Sequence, residues 1–130
     1  MKIRWIAGFV LGAAPALAES SVPSFERDIL PLFEKKCFYC HGATKPLANG
    51  LDLRTIEGVM AGANSGPIVS PGKPDTSRLW IVLRDGVMPQ GGPVLPAAEK
   101  QLIRDWIEKG EFPADTEKEK SPPKRASGNR

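Results

Sequence analysis

The chain has 130 residues, and its 18 Lys and Arg against 15 Asp and Glu give a formal net charge of +3. The whole excess lies at the two ends, since residues 19–112 carry 11 basic and 12 acidic side chains, a net charge of −1. A nearly neutral body lacks the basic surface of a nucleic-acid-binding protein, so we expect no nucleic-acid partner.

The first 18 residues predict an exported protein. Lys2 and Arg4 form a basic start, residues 5–14 are an apolar run, and Ala16 and Ala18 frame a small-residue cleavage site, which is the layout of a secretory signal peptide. The run is shorter than the about 20 residues that a transmembrane helix needs. We therefore expect cleavage after Ala18 and a periplasmic product without stable membrane insertion; an uncleaved N-terminal anchor is the alternative.

The first helical region follows this segment. Ser24 is predicted to cap a short opening turn, because its side chain can accept a hydrogen bond from an orphan backbone N–H. The main helix is predicted over residues 30–40, with Pro31 near its start, where proline is tolerated. The inward face of this region is predicted from helical spacing to be Ile29, Leu32, Phe33 and Cys37.

Three more helices are predicted downstream. The first spans residues 55–61 and is capped by Thr55, and the second is capped by Asp75 or Thr76 and continues through Arg84. The third spans residues 96–109 and is followed by Gly110 at its C-terminal cap; its inward face is predicted to be Leu102, Ile103, Trp106 and Ile107. Loops rich in Gly and Pro separate them, and no segment alternates as a strand does. The sequence thus predicts an all-α fold of three to four short helices and long loops.

The domain organisation follows from these segments. Residues 1–18 are predicted to be the signal peptide and residues 19–112 one small domain. Residues 113–130 are polar and charged, with almost no apolar side chains, and predict a disordered tail. A domain of this size with so many loops generally needs a cofactor, metal or disulfides to stabilise it.

One motif in the sequence carries specific chemistry. Cys37, Cys40 and His41 form the pattern C-x-x-C-H, which is typical of covalent haem c attachment. Two thiols one helical turn apart can each add to a vinyl group of the same porphyrin. The imidazole of His41 is then positioned to bind the iron. The sequence therefore predicts one haem c held by these three residues.

Two other interpretations of the cysteines remain open. In an oxidising compartment the pair can form a disulfide or a redox-active dithiol, although no βαβ pattern of the thioredoxin type surrounds it. A structural zinc site usually needs four protein ligands. His41 is the only histidine and no further cysteine is present, so haem is favoured over zinc.

A haem in an electron-transfer protein commonly takes methionine as its second axial ligand. Met1 belongs to the predicted signal peptide, which leaves Met60 and Met88. Met60 lies at the end of a predicted helix, where methionine more often fills the core. Met88 lies in a loop and precedes Pro89, which favours an extended backbone. We therefore favour Met88 over Met60.

The order of motifs resembles the small cytochrome c domain of planctomycetes. The resemblance rests on residues 25–31, 37–42, 66–74, 86–89 and 106–110, and it covers about residues 24–112. It implies a class I cytochrome c fold with His41 and Met88 as axial ligands of the iron. The chain departs from the family at Gln90, where a second proline is more usual.

The resulting prediction is a periplasmic carrier of single electrons between redox partner proteins whose identity the residues do not indicate, and not an enzyme. A haem protein with an open distal site, acting as a gas sensor or a peroxidase-like enzyme, is the alternative and requires Met88 to be off the iron. A third hypothesis is a redox or metal-binding module that uses the two cysteines without haem.

Overall fold

The computed structural model describes residues 12–13 and 21–114. Nearly all of the predicted signal peptide, and the predicted tail from residue 115 onward, lie outside the described residues. In the described part every regular element is helical, and an isolated bridge between Ala63 and Gly66 is the only β pairing there. The all-α prediction is therefore confirmed for this part. No helix within these ranges is long and apolar enough to cross a membrane.

Residues 21–114 contain four α-helices, together with short π and 3-10 turns. In chain order the elements are a π turn at Phe25–Ile29, α1 at Leu30–Lys36, a π turn at Tyr39–Ala43, a 3-10 turn at Ala48–Gly50, α2 at Ile56–Ala61, a 3-10 turn at Pro74–Thr76, α3 at Arg78–Arg84 and α4 at Ala97–Lys109.

The start of the first helical region agrees with its prediction. The Ser24 hydroxyl accepts a hydrogen bond from the Arg27 amide at 3.2 Å, and the Ser24 amide donates to the Asp28 carboxylate at 2.8 Å. The end differs from the prediction, because α1 stops at Lys36 and Cys37 departs from helical geometry with φ −125°. Tyr39–Ala43 then form a separate π turn, which is wider than an α-helical turn, instead of the end of one helix.

The predicted inward face is confirmed. Ile29 and Phe33 are fully buried and Leu32 is 8% exposed, while Cys37 is half-buried at the edge of the core. This face therefore leads from the apolar core directly to the first cysteine of the motif.

The boundaries of α2 are as predicted, whereas α3 begins differently. The Thr55 hydroxyl accepts a hydrogen bond from the Gly58 amide at 3.0 Å, and Gly62 ends α2 with φ +79°. At α3 the N-cap residue is Ser77, so the prediction of Asp75 or Thr76 was wrong. Residues 74–76 instead form a 3-10 turn that brings the chain to Ser77.

The last helix packs across the start of the fold. Pro96 is the N-cap residue of α4, so the helix begins at Ala97, one residue later than predicted. Gly110 follows the last turn as predicted. Ile103, Trp106 and Ile107 are fully buried, and Leu102 is half-buried. α4 contacts the π turn at Phe25–Ile29 and α3, so the helices enclose one apolar core.

Candidate functional site

The C-x-x-C-H motif lies in a single helical turn at the end of α1. The Cys37 carbonyl accepts hydrogen bonds from the amides of Cys40 at 3.2 Å and His41 at 2.9 Å, and the Cys37 amide donates to Phe33 at 2.8 Å. The backbone therefore keeps both cysteines and the histidine in one rigid turn attached to the core.

The two cysteines differ in exposure. Both thiols are free; Cys37 is half-buried and Cys40 is exposed. Burial, with a smaller contribution from the nearby Cys40, raises the pKa of the Cys37 thiol to about 11. Cys37 is thus a neutral thiol at neutral pH that faces the protein, whereas Cys40 faces solvent.

His41 is buried, with 9% of its surface exposed. Its Nδ1 atom is enclosed and has no hydrogen-bond partner among the described residues. Buried imidazole nitrogens are normally hydrogen-bonded or bound to a metal. A buried imidazole whose Nδ1 atom is unpaired, next to two free thiols, is a donor set suited to c-type haem, so these residues fit that group.

The segment after His41 is closely covered. A Cβ atom on Gly42 would lie 2.9 Å from Cγ of Phe38 and 3.2 Å from Cγ of Arg54. Both distances are shorter than ordinary carbon contacts, so glycine is needed at position 42 for these two side chains to pack as close to it as they do. Tyr39, between the cysteines, points away and is 83% exposed.

Met88 lies in the loop that follows α3. The amides of Val87 and Met88 donate to the Val82 carbonyl at 2.9 and 3.1 Å, which folds the loop back on the end of the helix. Met88 is half-buried against the core, and so is Met60 in α2. The choice of Met88 over Met60 as the distal ligand stays a prediction.

Two further observations concern the alternatives. Across residues 21–114 no group of three or more His, Cys, Asp or Glu side chains is arranged to hold a metal ion, which disfavours a zinc site. A cleft of about 460 Å³ lies between the two ends of the described segment 21–114, lined by residues 22–26, Ile56 and residues 111–113. It contains none of the predicted site residues.

Sequence reasoning missed the segment that contacts His41 from outside the motif. The Leu53 amide donates to the His41 carbonyl at 2.9 Å, and Asp52 and Arg54 flank it as an ion pair. The signal in the sequence was the alternation of Leu51 and Leu53 with these two charged residues. That alternation is too short to count as a strand.

The comparisons with known proteins agree with this site. Residues 37–91 match the family model of planctomycete cytochrome C. The resemblance seen in the sequence is therefore confirmed over this segment. The cytochrome segment contains Cys37, Cys40, His41 and Met88, and a cytochrome c domain indicates haem-based electron transfer. Among curated proteins and solved structures, none matches the chain at a significant level.

Proposed function

We propose that this protein is a periplasmic c-type cytochrome that holds one haem and carries single electrons between redox partner proteins. The observation that carries the proposal is the family match over residues 37–91, which includes all four predicted haem-binding residues. The helical turn at Cys37 and the buried, unpaired imidazole of His41 support it.

Each residue has a defined role in this proposal. Cys37 and Cys40 form thioethers, each by adding its S–H across one vinyl group, which keeps the cofactor attached outside the cell. His41 would hold the iron through an imidazole nitrogen, and Met88 would hold it through its thioether sulfur. When bound, the haem supplies an iron that alternates between the ferric and ferrous states.

The choice of a carrier over an enzyme depends on Met88. A protein whose side chains occupy both axial positions leaves no place for a substrate on the iron. The two hydrogen bonds to the Val82 carbonyl hold the backbone at Met88 in a defined position, so the loop can present the side chain with little rearrangement. This favours electron transfer over the binding of small ligands.

Covalent haem attachment is tested by exporting the full chain in a bacterial host that matures c-type cytochromes. We expect haem staining under denaturing conditions and a mass equal to the chain from Glu19 plus one haem. Cys37→Ser combined with Cys40→Ser should abolish the stain. Tyr39→Phe, a change at an exposed position within the same motif, should leave it intact.

Two results would contradict the proposal. If the wild-type chain is matured under these conditions without a covalent haem, the assignment as a c-type cytochrome is wrong. A full-length chain recovered in the membrane fraction would contradict the predicted cleavage after Ala18 and the periplasmic location, while leaving the haem assignment in place.

A further inference from the structure

Residues 51–54 form a short extended segment that lies against the haem motif. Leu51 and Leu53 are 8% and 2% exposed, whereas Asp52 and Arg54 lie on the outer side as a partly exposed pair. The inward leucines anchor the segment in the core. The segment is therefore fixed in position beside the Cys37–His41 turn.

The segment holds the backbone of His41. His41 has φ −116° and ψ 30°, which is outside helical geometry, so its carbonyl is free from the helical hydrogen-bond series. That carbonyl accepts the Leu53 amide hydrogen at 2.9 Å. A hydrogen bond from 12 residues downstream thus sets the orientation of the peptide next to the imidazole.

Arg54 is itself held in one conformation. Its Nε and Nη2 atoms lie 2.9 and 2.7 Å from the two carboxylate oxygens of Asp52, and its own amide donates to the same carboxylate at 3.0 Å. This fork-like pairing fixes the planar guanidinium. The stem of the side chain is then directed over Gly42, which would contact Cγ of Arg54 if it carried a Cβ atom.

Stability alone does not account for this arrangement. Exposed ion pairs contribute little to stability, and the Arg54 and Asp52 side chains are 46% and 27% exposed. The specific consequence of the pair is orientation, because it keeps an apolar stem over the peptide that follows His41.

We propose that Arg54, held by Asp52, is a positioning residue for His41 that covers Gly42 and protects the hydrogen bond between the Leu53 amide and the His41 carbonyl. This inference rests on the proposed function, since only there is His41 an iron ligand. Arg54 acts through the backbone of the motif and does not contact the iron.

The test is amide hydrogen exchange of the haem-loaded, reduced full chain, followed residue by residue by NMR. Arg54→Ala, which removes Cγ and the rest of the stem, should speed exchange of the Leu53 amide about tenfold, because the hydrogen bond opens to water more often. The Leu79 amide, which donates to the Ile68 carbonyl at 2.9 Å and belongs to neither the motif nor residues 51–54, should keep its wild-type rate. The midpoint potential should fall, since an uncompensated Asp52 carboxylate beside the motif favours ferric iron.

The chain offers a matched control in Arg27, which forms the same fork with Asp28 and has Nη2 2.7 Å from the carboxylate. Arg27→Ala should leave the Leu53 exchange rate unchanged. Asp52→Asn keeps the stem but loosens the guanidinium, and should speed Leu53 exchange about threefold. This variant provides the test if Arg54→Ala is not recovered with haem.

The outcomes separate this inference from the proposed function. An unchanged Leu53 rate in both variants, or equal acceleration of Leu53 and Leu79, would overturn the positioning role and leave the cytochrome assignment standing. A wild-type chain that lacks haem would overturn both proposals.

Discussion

The indole of Trp106 lies tilted against the ring of Phe25, with the ring centroids 5.7 Å apart and the ring planes at 40°. Phe25 begins the first helical turn and Trp106 lies near the end of α4, so this contact joins the two ends of the described fold. Phe33 and Phe112 extend the cluster, at 6.2 Å from Phe25 and 4.9 Å from Trp106 respectively.

Trp106→Ala should lower the free energy of unfolding by about 3–5 kcal/mol, because it removes a fully buried aromatic side chain and leaves a cavity. Denaturant unfolding of the haem-loaded protein measures this. Val94→Ala, at a position 54% exposed, is the control and should change stability by less than about 1 kcal/mol. A loss below about 1 kcal/mol for Trp106→Ala would contradict its role as the centre of the core.

Ser77→Ala should lower stability by about 1–3 kcal/mol, because it leaves the part-buried Ser70 amide without its hydrogen-bond partner. The Ser77 side chain is 1% exposed; its hydroxyl accepts from the Ser70 amide at 2.9 Å and donates to the Lys73 carbonyl at 2.8 Å. Thr76→Ala removes a hydroxyl that reaches the same carbonyl from an exposed position and should have little effect. If the two variants lose equal amounts of stability, Ser77 has no special role in holding residues 70–73.

Asp52→Asn should change the pH dependence of stability. Hydrogen bonds from Arg54 lower the pKa of Asp52 from 3.8 to about 2 in the folded protein. A depressed pKa stabilises the folded state above the unfolded value and loses that effect as pH falls from about 4 to 2. At neutral pH the free energy of unfolding of the wild type should therefore exceed that of the variant by at most about 1 kcal/mol, because the pair is partly exposed.

This difference should vanish as the pH approaches 2, and high salt should reduce it at neutral pH because exposed charges are screened. Urea unfolding of both proteins over this pH range measures it. A difference that grows on acidification would contradict the assigned partner of Asp52.

Local sequence predicted those parts of the fold that depend on neighbouring residues. The caps at Ser24 and Thr55 were predicted correctly, because each hydroxyl bonds to an amide three residues ahead. The inward face of α4 was also predicted, because helical spacing determines which side chains point the same way. The four candidate haem residues were identified from the sequence too, and the family match over residues 37–91 includes them.

The remaining features depend on contacts between distant segments. Ser77 occupies the N-cap position of α3 without a side-chain capping bond, and its hydroxyl bonds instead to Ser70 and Lys73 in the preceding loop, which the spacing of Asp75 and Thr76 does not reveal. α1 ends at Lys36, earlier than its pattern suggested, and the motif turn is then held by Leu53. No local pattern indicates that a leucine amide 12 residues away binds the His41 carbonyl.

The carrier function depends on Met88, and the ferric absorption spectrum tests it most directly. A methionine sulfur bound to ferric haem iron gives a weak sulfur-to-iron charge-transfer band. We expect this band in the wild type and in Met60→Leu, and its loss in Met88→Ala. Met60 is the matched control, since it is the other methionine outside the predicted signal peptide and is likewise half-buried against the core. A band that survives Met88→Ala, or that is absent from the wild type, would contradict the electron-carrier account.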